Sequence, residues 1–172
     1  VKIVNGFVPK GELVVSTKGK VPEWDNLFYA QHVPIDDQIP FVVLVDGHSA
    51  SASEVVSGGL QDLDRAVIIG QKSFGKGLVQ NTKDLGYNAK IKITIAKYYT
   101  PSGRCIQAVR YKDGKPVDIP ESERAPFKTR NGRVVLDGGG IKPDILMPYD
   151  TAYGVVKALL DQQIIFDFVT EY

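Results

Sequence analysis

Apolar residues first gather without interruption at Phe41-Val42-Val43-Leu44-Val45, between Pro40 and Asp46-Gly47. A β-branched run with no polar alternation predicts a strand buried on both faces, as in a parallel sheet. The period then changes. Ala52, Val55, Val56, Leu60 and Leu63 return every three or four residues, laying one apolar stripe along a helix that ends near Asp64-Arg65. Ala66-Val67-Ile68-Ile69-Gly70 restores the continuous run and predicts a second buried strand. Strand, helix, strand is a βαβ unit with parallel strands and a right-handed crossover, so the class is α/β. Alternation over Lys90–Ile95, continuing to Tyr99 before the Pro101-Ser102-Gly103 turn, predicts another strand. Leu13–Thr17 and Arg133–Leu136 predict two more, and 152–161 a helix. Charged residues with Pro116, Pro120 and Pro126 mark Lys112–Arg133 as a solvated loop or hairpin region.

Composition narrows the functions open to such a core. A chain of 172 residues fits one domain, and 21 basic against 20 acidic residues leave no electrostatic footprint for nucleic acid. No apolar run approaches the roughly 20 residues that cross a bilayer, so no integral membrane segment is expected. Cys105 is the only cysteine, which excludes an internal disulfide, and with only His32 and His48 beside it neither a metal site nor a cofactor is expected.

Two stretches carry candidate chemistry. Gly70-Gln71-Lys72-Ser73-Phe74-Gly75-Lys76-Gly77 has the glycine and lysine spacing of a phosphate-cradling loop. That loop requires Ser or Thr after the lysine and a helix behind it; position 77 is Gly, and 78–82 has no helical period. Lys76 needs another explanation. Between the first strand and the helix, Ser49, Ser51 and Ser53 alternate in Gly47-His48-Ser49-Ala50-Ser51-Ala52-Ser53-Glu54. Ser51 with Glu54 fits a helix capping box, and a hydroxyl at a helix start is equally well placed to attack a carbonyl beside free N–H groups. The stretch nearly matches the Gly-x-Ser-x-Gly elbow, but that triad places its histidine after the serine, and both histidines here come before Ser51. His48 is expected to pack or bind locally. A lysine base is the remaining variant, and Lys76 follows the second strand of the βαβ unit, where parallel strands deliver their ends to one edge. A base must be neutral, whereas a free lysine titrates near about 10.4. Apolar enclosure by Phe74, Leu78 and Val79 is expected to disfavour the charged form.

Ser49-Ala50-Ser51-Ala52-Ser53-Glu54, Phe74-Gly75-Lys76-Gly77 with Gln80, Tyr98-Tyr99-Thr100-Pro101-Ser102-Gly103-Arg104 and Gly140-Ile141-Lys142-Pro143-Asp144-Ile145 resemble, in this order, the C-terminal processing, or tail-specific, serine proteases. The resemblance covers roughly residues 40–146. It implies a Clp-protease/crotonase-like core, with Ser51 as nucleophile, Lys76 as general base, Gln80 orienting the lysine and the Ala52 N–H as one oxyanion donor. The implied activity is endopeptidase cleavage of polypeptides near accessible C-termini through an acyl-enzyme. The alternative is a non-catalytic module holding a hydrophobic ligand or peptide on the same scaffold. Cys105 stands where the family commonly has serine, and 111–137 reads as an insertion. The family's Gly-rich oxyanion turn and PDZ module would precede Val1. Residues 1–172 are therefore expected to be one N-terminally truncated peptidase domain with little activity alone, taken from an exported bacterial protein of the periplasm or cell envelope.

Overall fold

The computed structural model describes residues 1–148 and 154–171. In chain order the elements are α1 (Lys2–Asn5), β1 (Leu13–Gly19), β2 (Asn26–Tyr29), β3 (Val42–Val45), α2 (Ala52–Asp62), β4 (Val67–Gly70), β5 (Leu78–Gly86), β6 (Ala89–Tyr99), β7 (Val109–Lys112), β8 (Lys115–Asp118), β9 (Pro126–Lys128), β10 (Val134–Leu136), β11 (Ile145–Leu146), α3 (Gly154–Asp161) and α4 (Ile164–Glu171). Positions 152 and 153 of the expected terminal helix lie outside the described residues; the helix is present from Gly154.

The βαβ unit forms as the periodicity requires. β3 and β4 pair in parallel from Val42↔Val67 to Val45↔Gly70, and β11 joins β4 on its other side. A second, antiparallel sheet has the order β2-β1-β6-β5. One apolar cluster joins Val14 and Val15 of β1, Val55 and Leu60 of α2, Val45 of β3 and Ile68 of β4, so both sheets contribute to the packing around α2.

Burial of β3 on both faces is not what the structure shows. Val45 is buried, but Val42 and Leu44 are 50% and 77% exposed, with Val67 and Leu146 exposed on the neighbouring strands. Side chains alternate across a strand, and among the described residues only the α2 face of this three-stranded sheet is covered. Of the two readings of region 112–133, loop or hairpin, the structure has the hairpin: β7 pairs with β8, and β9 with β10.

Two of the quoted motifs act as braces. Arg104 is almost fully buried; its Nη2 donates to Asp62 Oδ1 at 2.8 Å and Gln61 Oε1 at 2.7 Å, while Asp62 Oδ2 accepts the Ser102 N–H at 3.1 Å. The Pro101-Ser102-Gly103 turn is thereby locked onto the end of α2. Asp144 does the same for β11, accepting the Ile68 N–H at 2.8 Å and Gln61 Nε2 at 2.9 Å. Breaking a buried pair strands the remaining charge, so Arg104→Met should lower unfolding free energy by about 3–5 kcal/mol, with Arg104→Met/Asp62→Leu recovering much of the loss. Urea unfolding followed by circular dichroism measures both; equal stabilities of the single and double variants would contradict it.

Candidate active site

The turn from β3 into α2 gives its three serines three different environments. Ser49 Oγ donates to Asp46 Oδ1 at 2.9 Å and accepts the Asp46 N–H at 3.1 Å, and the same carboxylate oxygen accepts the N–H groups of His48 and Ser49. The Ser49 hydroxyl, supported by those N–H groups, holds the Asp46 carboxyl below its ordinary range. Ser49 is thus occupied in bracing the turn. Ser53 is exposed in the first turn of α2. Ser51, half-buried, is the residue immediately before the helix and has φ 56° and ψ −110°. A side chain in this backbone region costs on the order of 1–3 kcal/mol, and such strain persists only where the surroundings hold it.

Glu54 is what holds it. The carboxylate is fully buried and meets four donors: Ser73 Oγ at 2.5 Å and Gly75 N at 2.6 Å on Oε1, Lys76 N at 2.8 Å and Ser51 N at 2.8 Å on Oε2. The backbone nitrogens of Ser51 and Lys76 share one oxygen, so they are separated by at most twice 2.8 Å. Ser73 Oγ also accepts the Ile141 N–H at 2.7 Å, tying the Gly140–Ile145 motif to the same point. The N–H groups that a phosphate loop would turn towards a nucleotide are here spent on a carboxylate, and β5 rather than a helix follows.

The glycines around Lys76 are required by close approach. Gly75 has φ +89°, and a Cβ there would lie 2.2 Å from Ala108 Cβ; a Cβ on Gly77 would lie 2.6 Å from Gln107 N. Gln107 Oε1 accepts the Gly77 N–H at 2.8 Å, and Gly75 O accepts the Ala108 N–H at 2.9 Å. The lysine loop is therefore clamped between Glu54 on one side and the 107–108 segment on the other.

The apolar enclosure expected around Lys76 is absent. Lys76 is exposed, Phe74 is 61% exposed, and Leu78 and Val79 are only half-buried, because a loop held by its backbone presents its side chains outwards. Gln80 is exposed at a bulge in β5, opposite Thr94, and among the described residues it makes no hydrogen bond to Lys76. Ala52 opens α2, where an N–H has no intrahelical acceptor. His48 does not pack: its side chain is 92% exposed, with Nδ1 3.6 Å from Asp46 Oδ2. Burial pushes the Cys105 thiol up, which makes it a poor nucleophile. The organising role of Glu54 is the feature that sequence reading missed; Ser-x-x-Glu pointed to its contact with Ser51 but not to those with 73–76. Among the described residues no three His, Cys, Asp or Glu side chains cluster as metal ligands, and no helix is long and apolar enough to cross a membrane.

The sequence model of peptidase family S41 matches residues 1–120. A carboxy-terminal-processing protease of Bartonella bacilliformis is 44% identical over 136 residues, covering 79% of this chain and 30% of its own length. A chloroplastic C-terminal processing peptidase of Tetradesmus obliquus is 38% identical over 103 residues, covering 60% of this chain and 22% of its own. Among solved structures, a photosystem II D1 C-terminal processing protease superposes with a TM-score of 0.60 at 28% identity, covering 84% of this chain and 29% of that one. The chain spans less than a third of the length of these proteins, and its α/β core shares the fold of that solved protease.

Proposed function

Because the chain belongs to peptidase family S41, we propose that it carries the Ser51–Lys76 dyad of a serine endopeptidase that cleaves polypeptides near their C-termini. The observation behind this reading is the Glu54 carboxylate, which draws the backbones of a strained serine and a glycine-flanked lysine to one oxygen. Ser51 Oγ attacks the scissile carbonyl as the neutral amine of Lys76 takes its proton. The carbonyl oxygen gains the negative charge and is received by the Ala52 N–H, with a second donor supplied from outside these residues. Collapse breaks the C–N bond, and the leaving amine takes the proton back from Lys76 Nζ. Water then attacks the Ser51 ester with Lys76 again as base, releasing the carboxylic acid and the free hydroxyl. Gln80, which makes no hydrogen bond to Lys76 among the described residues, takes up the role of orienting the lysine only when the site is closed over it. Since this chain leaves Lys76 exposed, the enclosure that favours the neutral amine comes from bound substrate or from the rest of the longer protein. We place that protein in the bacterial envelope, with polypeptide tails as its substrates.

The test separates basicity from charge. Arginine keeps the cation but cannot lose its proton near neutral pH, so Lys76→Arg in the full-length protein should fall as far as Lys76→Ala, by at least about a hundredfold in hydrolysis of a denatured protein. A rate for the arginine variant near that of the unmodified enzyme would overturn the assignment of Lys76 as base.

A further inference from the structure

The lysine loop is bonded to more than Glu54. Gly75 O accepts the Ala108 N–H at 2.9 Å, Ala108 O accepts the Ile119 N–H at 3.1 Å, and Gln107 Oε1 accepts the Gly77 N–H at 2.8 Å. The base of the β7–β8 hairpin is thereby mounted on the residues either side of Lys76. Between this hairpin and the start of β5 lies an open cavity of about 380 Å³, whose apolar lining is Leu78, Cys105, Val109, Tyr111 and Ile119. Leu78 stands two residues beyond Lys76. Tyr111 and Ile119 belong to the stretch 111–137 that reads as an insertion, so one wall of the cavity is built from that additional segment.

Three charged residues also line the cavity, and two of them are occupied. Arg110 pairs with Glu123, and Asp137 Oδ1 accepts the Ala125 N–H at 2.8 Å. Lys97, directly opposite Leu78 across β5 and β6, is exposed, so its ammonium reaches solvent. Burial pushes the Cys105 thiol up, which keeps it neutral. What remains is an apolar concavity with room for one large side chain.

Which part of a substrate meets this cavity follows from the path of the proton. Ser51 and the Ala52 N–H, at the start of α2, face the carbonyl that becomes the acyl-enzyme, whereas Lys76 returns its proton to the leaving nitrogen. No residue of 46–54 lines the cavity, and its links to the site run through the lysine loop. We propose that the cavity between Leu78 and the β7–β8 hairpin is a side-chain subsite on the leaving side of the scissile bond. It takes a large apolar residue that directly follows the bond, with Tyr111 and Ile119 as its specificity-determining residues. The inference deepens the peptidase reading and rests on the Ser51–Lys76 dyad for the direction in which the substrate runs.

The test gives the full-length protein a mixture of denatured proteins and maps the cut sites by mass spectrometry at low conversion. Leu, Ile, Met, Phe and Tyr should follow the cut at least about fivefold more often than Ala, corrected for abundance; one methylene in a closed apolar pocket is worth about 10–200-fold, and this cavity is open. Tyr111→Ala/Ile119→Ala should bring that ratio to within about twofold of one. Tyr111 is 65% exposed, and the Ile119 backbone keeps its bonds to Ala108 and Arg124, so the variant keeps its fold. A second variant, Ile119→Lys, should replace the apolar preference with one for Asp and Glu at the same position, a gain that misfolding cannot imitate. No apolar preference after the cut, a preference that survives in both variants, or one confined to the residue before the cut would overturn the proposal. A preference for Asp or Glu in the unmodified enzyme would also overturn it, since Lys97 would then be reading the side chain. Ser51→Ala, tested alongside, keeps the two readings apart: cleavage that persists there overturns the dyad, whereas the outcomes above overturn the subsite and leave the dyad standing.

Discussion

Replacing Ser51 with alanine in the full-length protein should abolish hydrolysis of a denatured protein substrate, a loss of about 10⁴-fold or more, because a nucleophile has no substitute in an acyl-transfer mechanism. Ser49→Ala should stay within about tenfold of the unmodified rate: its hydroxyl braces Asp46, and the backbone N–H bonds of His48 and Ser49 to that carboxylate remain. Ser53→Ala should change still less, since that side chain is exposed in the first helical turn. Glycine at position 51 gives a further contrast. Ser51 holds φ 56°, and glycine adopts such values without steric cost, so Ser51→Gly should be as inactive as Ser51→Ala yet more stable than it by about 1 kcal/mol. Thermal unfolding of the two variants measures the difference. An alanine variant at least as stable as the glycine variant would show that the backbone at this position is not strained.

The second large effect belongs to Glu54. Removing its carboxylate leaves Ser51 N, Gly75 N, Lys76 N and Ser73 Oγ without their shared acceptor in a buried place. Each buried unsatisfied group costs about 1–3 kcal/mol, so Glu54→Ala should lose at least about 3 kcal/mol of stability or fail to fold. Glu54→Gln is the more informative change, being nearly the same size. Each carboxylate oxygen accepts two bonds, and whichever way the amide turns, its nitrogen faces two donors. The variant should therefore lose about 2–4 kcal/mol, and because the Ser51 and Lys76 backbones no longer share an anchor, hydrolysis should fall by at least about a hundredfold. Urea unfolding together with an assay of the folded fraction separates the two effects. Normal stability of Glu54→Gln would mean that the four donors are satisfied elsewhere.

The βαβ unit was legible because its signal is local: two continuous apolar runs flank one stripe of helical period, and β3, α2 and β4 fall where that change of period puts them. β5 was not, because Gln80-Asn81-Thr82-Lys83-Asp84 is polar and gains its extended form from pairing with β6. The exposure of Val42 and Leu44 could not be read either, since an apolar run states what could be buried and not whether a covering layer exists. At the site, residue types and order name Ser51, Lys76, Gln80 and Ala52 as candidates through a family resemblance. Spacing alone left Ser51 between cap and nucleophile, and what distinguishes it from Ser49 and Ser53 is a backbone angle and hydrogen bonds from distant segments. The enclosure expected for Lys76 failed for the same reason: neighbours in sequence do not decide which way a clamped loop presents its side chains.

Treating the full-length protein with a serine-directed acylating probe and mapping the adduct by mass spectrometry decides whether Ser51 is the nucleophile and Lys76 its base. One acylated peptide carrying the label on Ser51 is expected, with that label lost in Lys76→Ala. A label on Ser49 or Ser53, or labelling of Ser51 that persists undiminished without Lys76, would contradict it.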